Sequence, residues 1–402
     1  MNFATKKIPQ GWALKKMPDV VKWSSGGTPK ATEKSYYENG TIPWLIIGDL
    51  NDGFVTESAS KITELGLANS SAKMIPVGTL LVAMYGSIGK LGITGIECCT
   101  NQAIAYAKEL KGVSTKYMYY YMAMMKSELI SQGKGGTQKN ISQTVLNSLD
   151  VIVPPEKEQD RIVNKIEELF SELDSAVETL KKTKEQLAVY HQSVLKEAFD
   201  ACDKKEKITS YFEISAGLTK NSKRASFPLK MPYLRVANVY YNRLNLSEIK
   251  SIGVQESEIG DKLLKKEDLL FVEGNGSKEQ IGRVAIWDDS IKNCLHQNHI
   301  IKGRPLGGML SKFALYYLIS DFGRKQILKV SSSTSGLYTL STEKVRNLNV
   351  PSCSLLKQKN IVQQIESRLS ACENIERTVN DALIQADAMR QSILKKAFEG
   401  GL

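Results

Sequence analysis

The sequence predicts an α+β protein: two mixed, strand-rich globular domains separated by a pair of long antiparallel coiled-coil helices, related by a pseudo-two-fold internal repeat. Residues 159–199 return without a gap, 199 positions later, at 358–398. A fixed period of this kind marks two near-equal halves. Both copies keep apolar residues at seven-residue spacing with no Pro or Gly inside them. The segments ahead of each copy instead hold short apolar or alternating runs bounded by Gly, Asn and Ser, which read as strands.

Taken in order, the boundaries fall at 1–153 for the first domain, 154–203 for a central helix, 204–352 for the second domain and 353–402 for a terminal helix. Within the domains, Ile42-Pro43-Trp44-Leu45 answers to Met231-Pro232-Tyr233-Leu234, and Gly78-Thr79-Leu80-Leu81-Val82 to Glu267-Asp268-Leu269-Leu270-Phe271. Asn101-Gln102-Ala103-Ile104 answers to Gln297-Asn298-His299-Ile300. A helix beginning Thr115-Lys116-Tyr117 matches Ser311-Lys312-Phe313 late in the second half. Residues that differ between the halves cluster in the polar loops, as suits one scaffold reading two targets.

The central helix has Ile166, Leu173, Leu180, Leu187 and Val194 in one heptad line, and the terminal helix repeats it with Ile365, Cys372, Val379, Ala386 and Ile393. These ten are the expected helix–helix interface. A second line runs through Leu169, Phe170, Ala176, Val177, Tyr190 and Ala198, and in the other copy through Leu369, Ile375, Ala382, Leu383 and Met389. At 1.5 Å per residue each helix would extend about 58 Å. Pro154-Pro155 and Pro351 stand just ahead of the helices, where proline is tolerated. The matched stripes predict that the terminal helix returns beside the first domain.

The 402 residues carry a formal net charge of +11, unevenly placed. Residues 1–152 carry +5 and 208–352 carry +8, whereas 153–207 carry −3 and 353–402 only +1. Positive charge concentrated in the two globular segments is expected if they meet a polyanion; a solvated, slightly basic surface is the alternative. The start, Met1-Asn2-Phe3-Ala4-Thr5-Lys6-Lys7, has no apolar core behind it, and the longest apolar run, Tyr117–Met125, is too short to span a bilayer. A cytoplasmic protein is expected. Six cysteines lack C-x-x-C spacing and only three histidines exist, so reduced, buried thiols are expected in place of zinc or disulfides.

Catalytic signatures are missing. Gly86-Ser87-Ile88-Gly89-Lys90 imitates a phosphate loop, but Met84 stands at the first glycine and Leu91 at the Ser/Thr. Gly274-Asn275-Gly276 lacks the third glycine of a dinucleotide fingerprint. No Asn/Asp-Pro-Pro-aromatic tetrad of amino-methyltransferases is present; Val153-Pro154-Pro155-Glu156 has the wrong flanks. The chain is expected to do no chemistry of its own.

Ser25-Gly26-Gly27-Thr28-Pro29-Lys30 with Gly40-Thr41-Ile42-Pro43-Trp44 and Gly48-Asp49-Leu50, Tyr85-Gly86-Ser87-Ile88-Gly89, Asn101-Gln102-Ala103 and Gly136-Thr137-Gln138-Lys139-Asn140-Ile141 occur in one order. Pro154-Pro155-Glu156 then leads into the long helix. This pattern, with its duplicated helix, resembles the specificity (S) subunits of Type I restriction–modification systems over essentially the whole chain. The second half departs from it: Ala216-Gly217-Leu218-Thr219-Lys220-Asn221 stands where Gly-Gly-Thr-Pro is expected. The resemblance implies two target-recognition domains that read a bipartite double-stranded DNA site. It implies helices that set the spacer and dock two methyltransferase (M) subunits, with translocase–nuclease (R) subunits joining the assembly. S-adenosylmethionine, ATP and Mg²⁺ would belong to those partners and none to this chain.

Base reading needs paired donors and acceptors, and phosphate anchoring needs cations or small polar groups. The DNA-binding candidates are Lys30, Tyr85, Lys90, Asn101, Gln102, Gln138, Lys139 and Asn140 in the first domain. In the second they are Lys220, Asn221, Arg224, Asn275, Lys278, His296, Gln297, Asn298 and Tyr338. As groups, the loops Gly133–Gln138 and Ser331–Gly336 are favoured for backbone approach to phosphates. For any single residue the alternative is a satisfied turn. A coiled-coil interaction scaffold without DNA specificity, and an enzyme with an unrecognised active site, stand as the competing function classes.

Overall fold

The computed structural model describes residues 8–136, 138–200, 202–334 and 336–402, without the side chains of 332–334. Met1–Lys7, and Thr137 and Ser335 in the two favoured loops, lie outside the described residues. Two helices dominate, Glu156–Asp200 and Leu355–Phe398, of 45 and 44 residues. At 1.5 Å per residue they extend about 66–68 Å, longer than the repeat alone indicated because each begins three residues ahead of it.

The chain divides into two units. One takes the residues up to Leu180 with Asp381–Leu402, and the other Lys181–Asn380. Each unit therefore holds one globular domain with a stretch of both helices. In the first, a five-stranded sheet runs in the order Val21–Ser25, Ile104–Leu110, Leu80–Ala83, Leu91–Thr94, Gly53–Val55. A three-stranded sheet of Lys61–Ile62, Ile42–Leu45 and Cys99–Thr100 lies beside it in sequence order, and Ala13–Lys16 pairs with Asp150–Val153 to close the domain at its base. In the second unit the corresponding sheets are Phe212–Ala216, Ile300–Pro305, Leu269–Val272, Val284–Ile286 and Lys250–Val254, Leu229–Leu234, Leu295–His296, with Lys205–Lys207 pairing Asn349–Pro351. The 17-residue helix Thr115–Ser131 of the first domain is broken in the second into Ser311–Ile319 and Asp321–Val330, where Gly323 packs against the Tyr317 carbonyl.

The same devices seat the helices in both units. Gln159, buried, accepts from Ser114 N through Oε1 at 3.0 Å and donates to Gly112 O at 2.8 Å. Gln358, buried, accepts from Leu310 N at 2.8 Å and donates to Gly308 O at 3.0 Å. Lys116 pairs with Glu167 at 2.8 Å, and Lys312 with Glu366 at 2.5 Å. Phe398 lies edge-on to Tyr117 and Tyr121, whereas Phe199 lies edge-on to Phe313 and Tyr317. The terminal helix thus ends in the core of the first domain, as its stripe predicts.

None of the ten predicted seam residues is exposed: Ile166, Val194, Ile365, Cys372, Val379 and Ala386 are buried, and Leu173, Leu180, Leu187 and Ile393 half-buried. Ile166 and Ile393 pack into the first domain's core, and Val194 and Ile365 into the second's. The second line differs from expectation, since Ala176, Tyr190, Ile375 and Met389 are exposed. Two helices bury only a narrow stripe, and residues on its shoulder turn outward. Arg390 lies 4.9 Å over Phe170 and pairs with Asp174; Lys184 donates to Asn380 Oδ1 at 3.0 Å. The six cysteines are unpaired and all but Cys353 are buried. Burial pushes the Cys98, Cys99 and Cys294 thiols up to about 12. No described helix is long and apolar enough to cross a membrane.

Candidate nucleic-acid interface

In the first domain a parallel pairing of Trp44 with Cys99 and Leu45 with Thr100 brings the chain to the edge of the small sheet, where it turns at Asn101. Asn101 Oδ1 accepts from Ala103 N at 3.1 Å and shapes that turn. Gly27 N donates to Thr100 O at 2.9 Å, and Thr28 Oγ1 contacts Gln102 Oε1, so the Ser25–Lys30 loop lies against Asn101–Gln102. Beyond Ala103, Met84 N donates to Ala103 O at 2.8 Å and Ile141 N to Met84 O at 2.9 Å. Tyr85 and Asn140 bridge, and Gly86 N donates to Lys139 O at 3.0 Å. One continuous run of loops therefore carries Lys30, Asn101, Gln102, Tyr85, Gln138, Lys139 and Asn140. All are exposed except Asn101, which is half-buried. Lys90 lies at one end, half-buried, on a cavity of about 390 Å³ bounded also by Gly86–Ile88, Lys126, Lys139 and Asp52. Lys126 pairs with Asp52 at 3.1 Å.

The second domain rebuilds this crossing. Leu218 N donates to His296 O at 2.8 Å, Gln297 N to Leu234 O at 2.9 Å and Asn298 N to Leu218 O at 2.9 Å. Glu273 N donates to His299 O at 3.0 Å and Leu340 N to Glu273 O at 2.7 Å, and Asn275 pairs with Tyr338. The Ala216–Asn221 loop thus takes the place of the glycine-rich one. A Cβ on Gly26 would sit 1.9 Å from Thr100 O, and one on Gly217 only 2.1 Å from His296 O, so the glycine that the crossing requires is kept in both. Its neighbour is free to change. Gly27 is overlaid by the Ser71–Ala72 backbone, whereas Leu218 is buried in a small core with Met231, Tyr233 and Leu295.

Lys220, Asn221 and Lys278 are exposed, and Asn275, Gln297, Asn298 and Tyr338 half-exposed, along these loops. Two candidates need correction. Arg224 is buried and its guanidinium is taken up internally, by Thr219 O at 2.6 Å, Gly253 O at 3.1 Å and both carboxylate oxygens of Glu258 at 2.8 and 3.1 Å. Its bonds hold the Glu258 carboxyl below the usual range. His296 is fully buried, with Nδ1 3.1 Å from Lys262 O. Burial, with Lys302 adding to it, pushes its imidazole down to about 3, so it is neutral. Both residues secure loops and are withdrawn as direct readers. Asn221 and Asn275 use their side-chain carbonyls locally, accepting from Arg224 N at 3.2 Å and Ser277 N at 2.9 Å. Such turns leave the amide nitrogen directed elsewhere.

Several residues on these surfaces were missed. Arg243, exposed, lies 5.2 Å over the Tyr240 ring; Arg283, 5.0 Å from the same ring, is buried and donates to Val236 O at 3.3 Å, and Arg324, 5.1 Å over Tyr241, donates to Ile281 O at 2.6 Å. The run Tyr240-Tyr241-Asn242-Arg243, aromatic interleaved with basic, was a usable signal. Lys126 and Arg324 had none, because helices bring them in from afar. His299 and Glu273, 2.8 Å apart, carry no local sequence signal, because they are 26 residues apart in the chain.

A family model described as Type I restriction modification DNA specificity domain matches residues 9–188 and again 204–385. The EcoKI specificity subunit of Escherichia coli (strain K12) is 23% identical, covering 98% of this chain and 90% of that protein. The StySPI specificity subunit of Salmonella potsdam is 22% identical with the same coverage. Among solved structures, a chain from work on complex assembly and conformational transition of the type I R-M system aligns at TM-score 0.75 and 15% identity, covering 98% of this chain and 100% of its own. The HsdS subunit from Thermoanaerobacter tengcongensis aligns at TM-score 0.55 and 16% identity over 100% of both chains. With two copies of the domain spanning nearly its whole length, the chain belongs to the Type I restriction–modification DNA specificity family, the non-catalytic specificity subunits of restriction–modification complexes.

Proposed function

We propose that each globular domain reads one half of a bipartite double-stranded DNA site. The long helices fix the distance between the halves and dock two methyltransferase subunits, through which translocase–nuclease subunits join. The observation that carries this reading is the duplicated loop crossing, whose central main-chain bonds, those of Gly27, Asn101, Met84 and Ile141 and of Leu218, Gln297, Glu273 and Leu340, recur in both domains while its exposed side chains differ. Lysines at its edges, Lys30, Lys90 and Lys139 in one domain and Lys220 and Lys278 in the other, suit phosphates. Amides between them, Gln102, Gln138 and Asn140 or Gln297 and Asn298, suit base edges in the major groove. S-adenosylmethionine, ATP and Mg²⁺ enter with the partner subunits, and the complex works in the cytoplasm.

The helix assignment is tested by removing two heptads, 173–186, together with 378–391. The bonds of Asp174 to Arg390 and Lys184 to Asn380 place these stretches opposite each other. About 21 Å of helix is lost, the rise of about six base pairs. The reconstituted complex should methylate sites with a shorter spacer and unchanged half-sites. Altered half-sites would refute the ruler.

A further inference from the structure

The two domains share one crossing of three segments, and at its centre they carry side chains of different kinds. In the first, Met84 and Ala103 occupy the crossing and both are buried. At the equivalent positions the second domain has Glu273, half-buried, and His299, exposed. The main-chain bonds are the same with either pair, so the scaffold requires neither Glu273 nor His299. Their carboxylate and imidazole instead bond to each other, Glu273 Oε2 to His299 Nδ1 at 2.8 Å. They lie between Asn275 and Tyr338 on one side and Gln297–Asn298 on the other.

An ionised carboxylate only accepts, so the proton of this bond is on Nδ1, and the bond fixes both the tautomer and the plane of the ring. In this tautomer Nε2 is the acceptor, at the far edge of the ring. In the major groove an acceptor finds its partner in an exocyclic amine, N6 of adenine or N4 of cytosine. A carboxylate is otherwise out of place on a surface that meets phosphates, and engaging it with the imidazole gives it a use there.

We propose that His299 is a base-reading residue of the second domain, taking an exocyclic amine at one position of that domain's half-site, and that Glu273 is the positioning residue that orients it. This rests on the reading that the loop crossing faces DNA. The first domain, with Met84 and Ala103, has no such reader at this place.

The test is mapping of methylated sequences with the full chain reconstituted with its methyltransferase subunits. His299→Ala should relax one position of one half-site, with discrimination there falling about fivefold or more, the lower end of the effect typical of one base pair. The other half-site and the spacer should be unchanged, which also shows that the complex has assembled. Glu273→Met, the residue of the first domain, should relax the same position, whereas Glu273→Gln, which still accepts from Nδ1, should restore it. An unchanged motif in His299→Ala, or an equal loss on all sequences, would overturn the assignment. A wild-type complex that modifies no bipartite site would overturn the function reading itself.

Discussion

The two globular domains fold by the same main-chain rules and differ in what they put on them. Gly26 and Gly217, Gln159 and Gln358, and the crossings at Met84 and Glu273 occupy matching places with matching bonds. Around these anchors an aliphatic centre is exchanged for a carboxylate–imidazole pair, and a glycine under a backbone turn for a buried leucine. Backbone geometry is thus held by few residues, and the loop side chains are left free to vary. That separation is what allows one scaffold to read two sequences.

The comparison breaks most visibly under acid. At the position of Thr100 the second domain buries His296. Its ordinary value near 6.5 is pushed down to about 3 by burial, so the folded domain binds the neutral ring. The stabilising contribution is fully present above about pH 6.5 and is lost as the pH falls toward 3, up to about 5 kcal/mol. Denaturant unfolding at pH 7 and pH 5, read domain by domain through hydrogen exchange, should show the second domain weakening more than the first. His296→Thr should remove the difference, and an unchanged acid response in that variant would contradict the assignment.

The next effect tests the likeness. Phe398 closes the first unit's core on Tyr117 and Tyr121, and Phe199 the second's on Phe313 and Tyr317. Alanine at either should cost its own unit about 3–5 kcal/mol, the usual loss for a buried phenylalanine. Thermal unfolding of each variant measures it. A substitution without effect would mean that the helix end is not part of that core.

Smaller effects separate anchoring from reading. Lys139→Ala should weaken binding to every sequence alike and reduce the salt dependence of affinity by about one ion. Lys278→Ala should do the same from the second domain. A change in sequence preference with either would place that lysine among the readers.

Much of this architecture was legible from residue order. Five heptads without Pro or Gly specify a helix wherever they occur, and the fixed 199-residue period gave the pairing of each domain with both helices. The loops were legible as groups for a physical reason: Gly26 and Asn101 shape turns locally. Individual side chains were not. Arg224 and His296 sit in polar stretches, and their burial depends on Glu258 and Lys262, 34 residues away from each. Tyr190, Ile375 and Met389 fit a helical stripe, yet a two-helix seam is too narrow to cover them. Long-range geometry decides such cases.

The central claim, that each domain reads its half-site independently, is tested most directly by mapping methylated positions in DNA treated with reconstituted complexes of the wild-type chain and of Gln138→Ala. The account predicts a bipartite motif for the wild type, and for the variant a loss of preference in one half with the other half and the spacer unchanged. A contiguous motif, or a variant that alters both halves together, would contradict it.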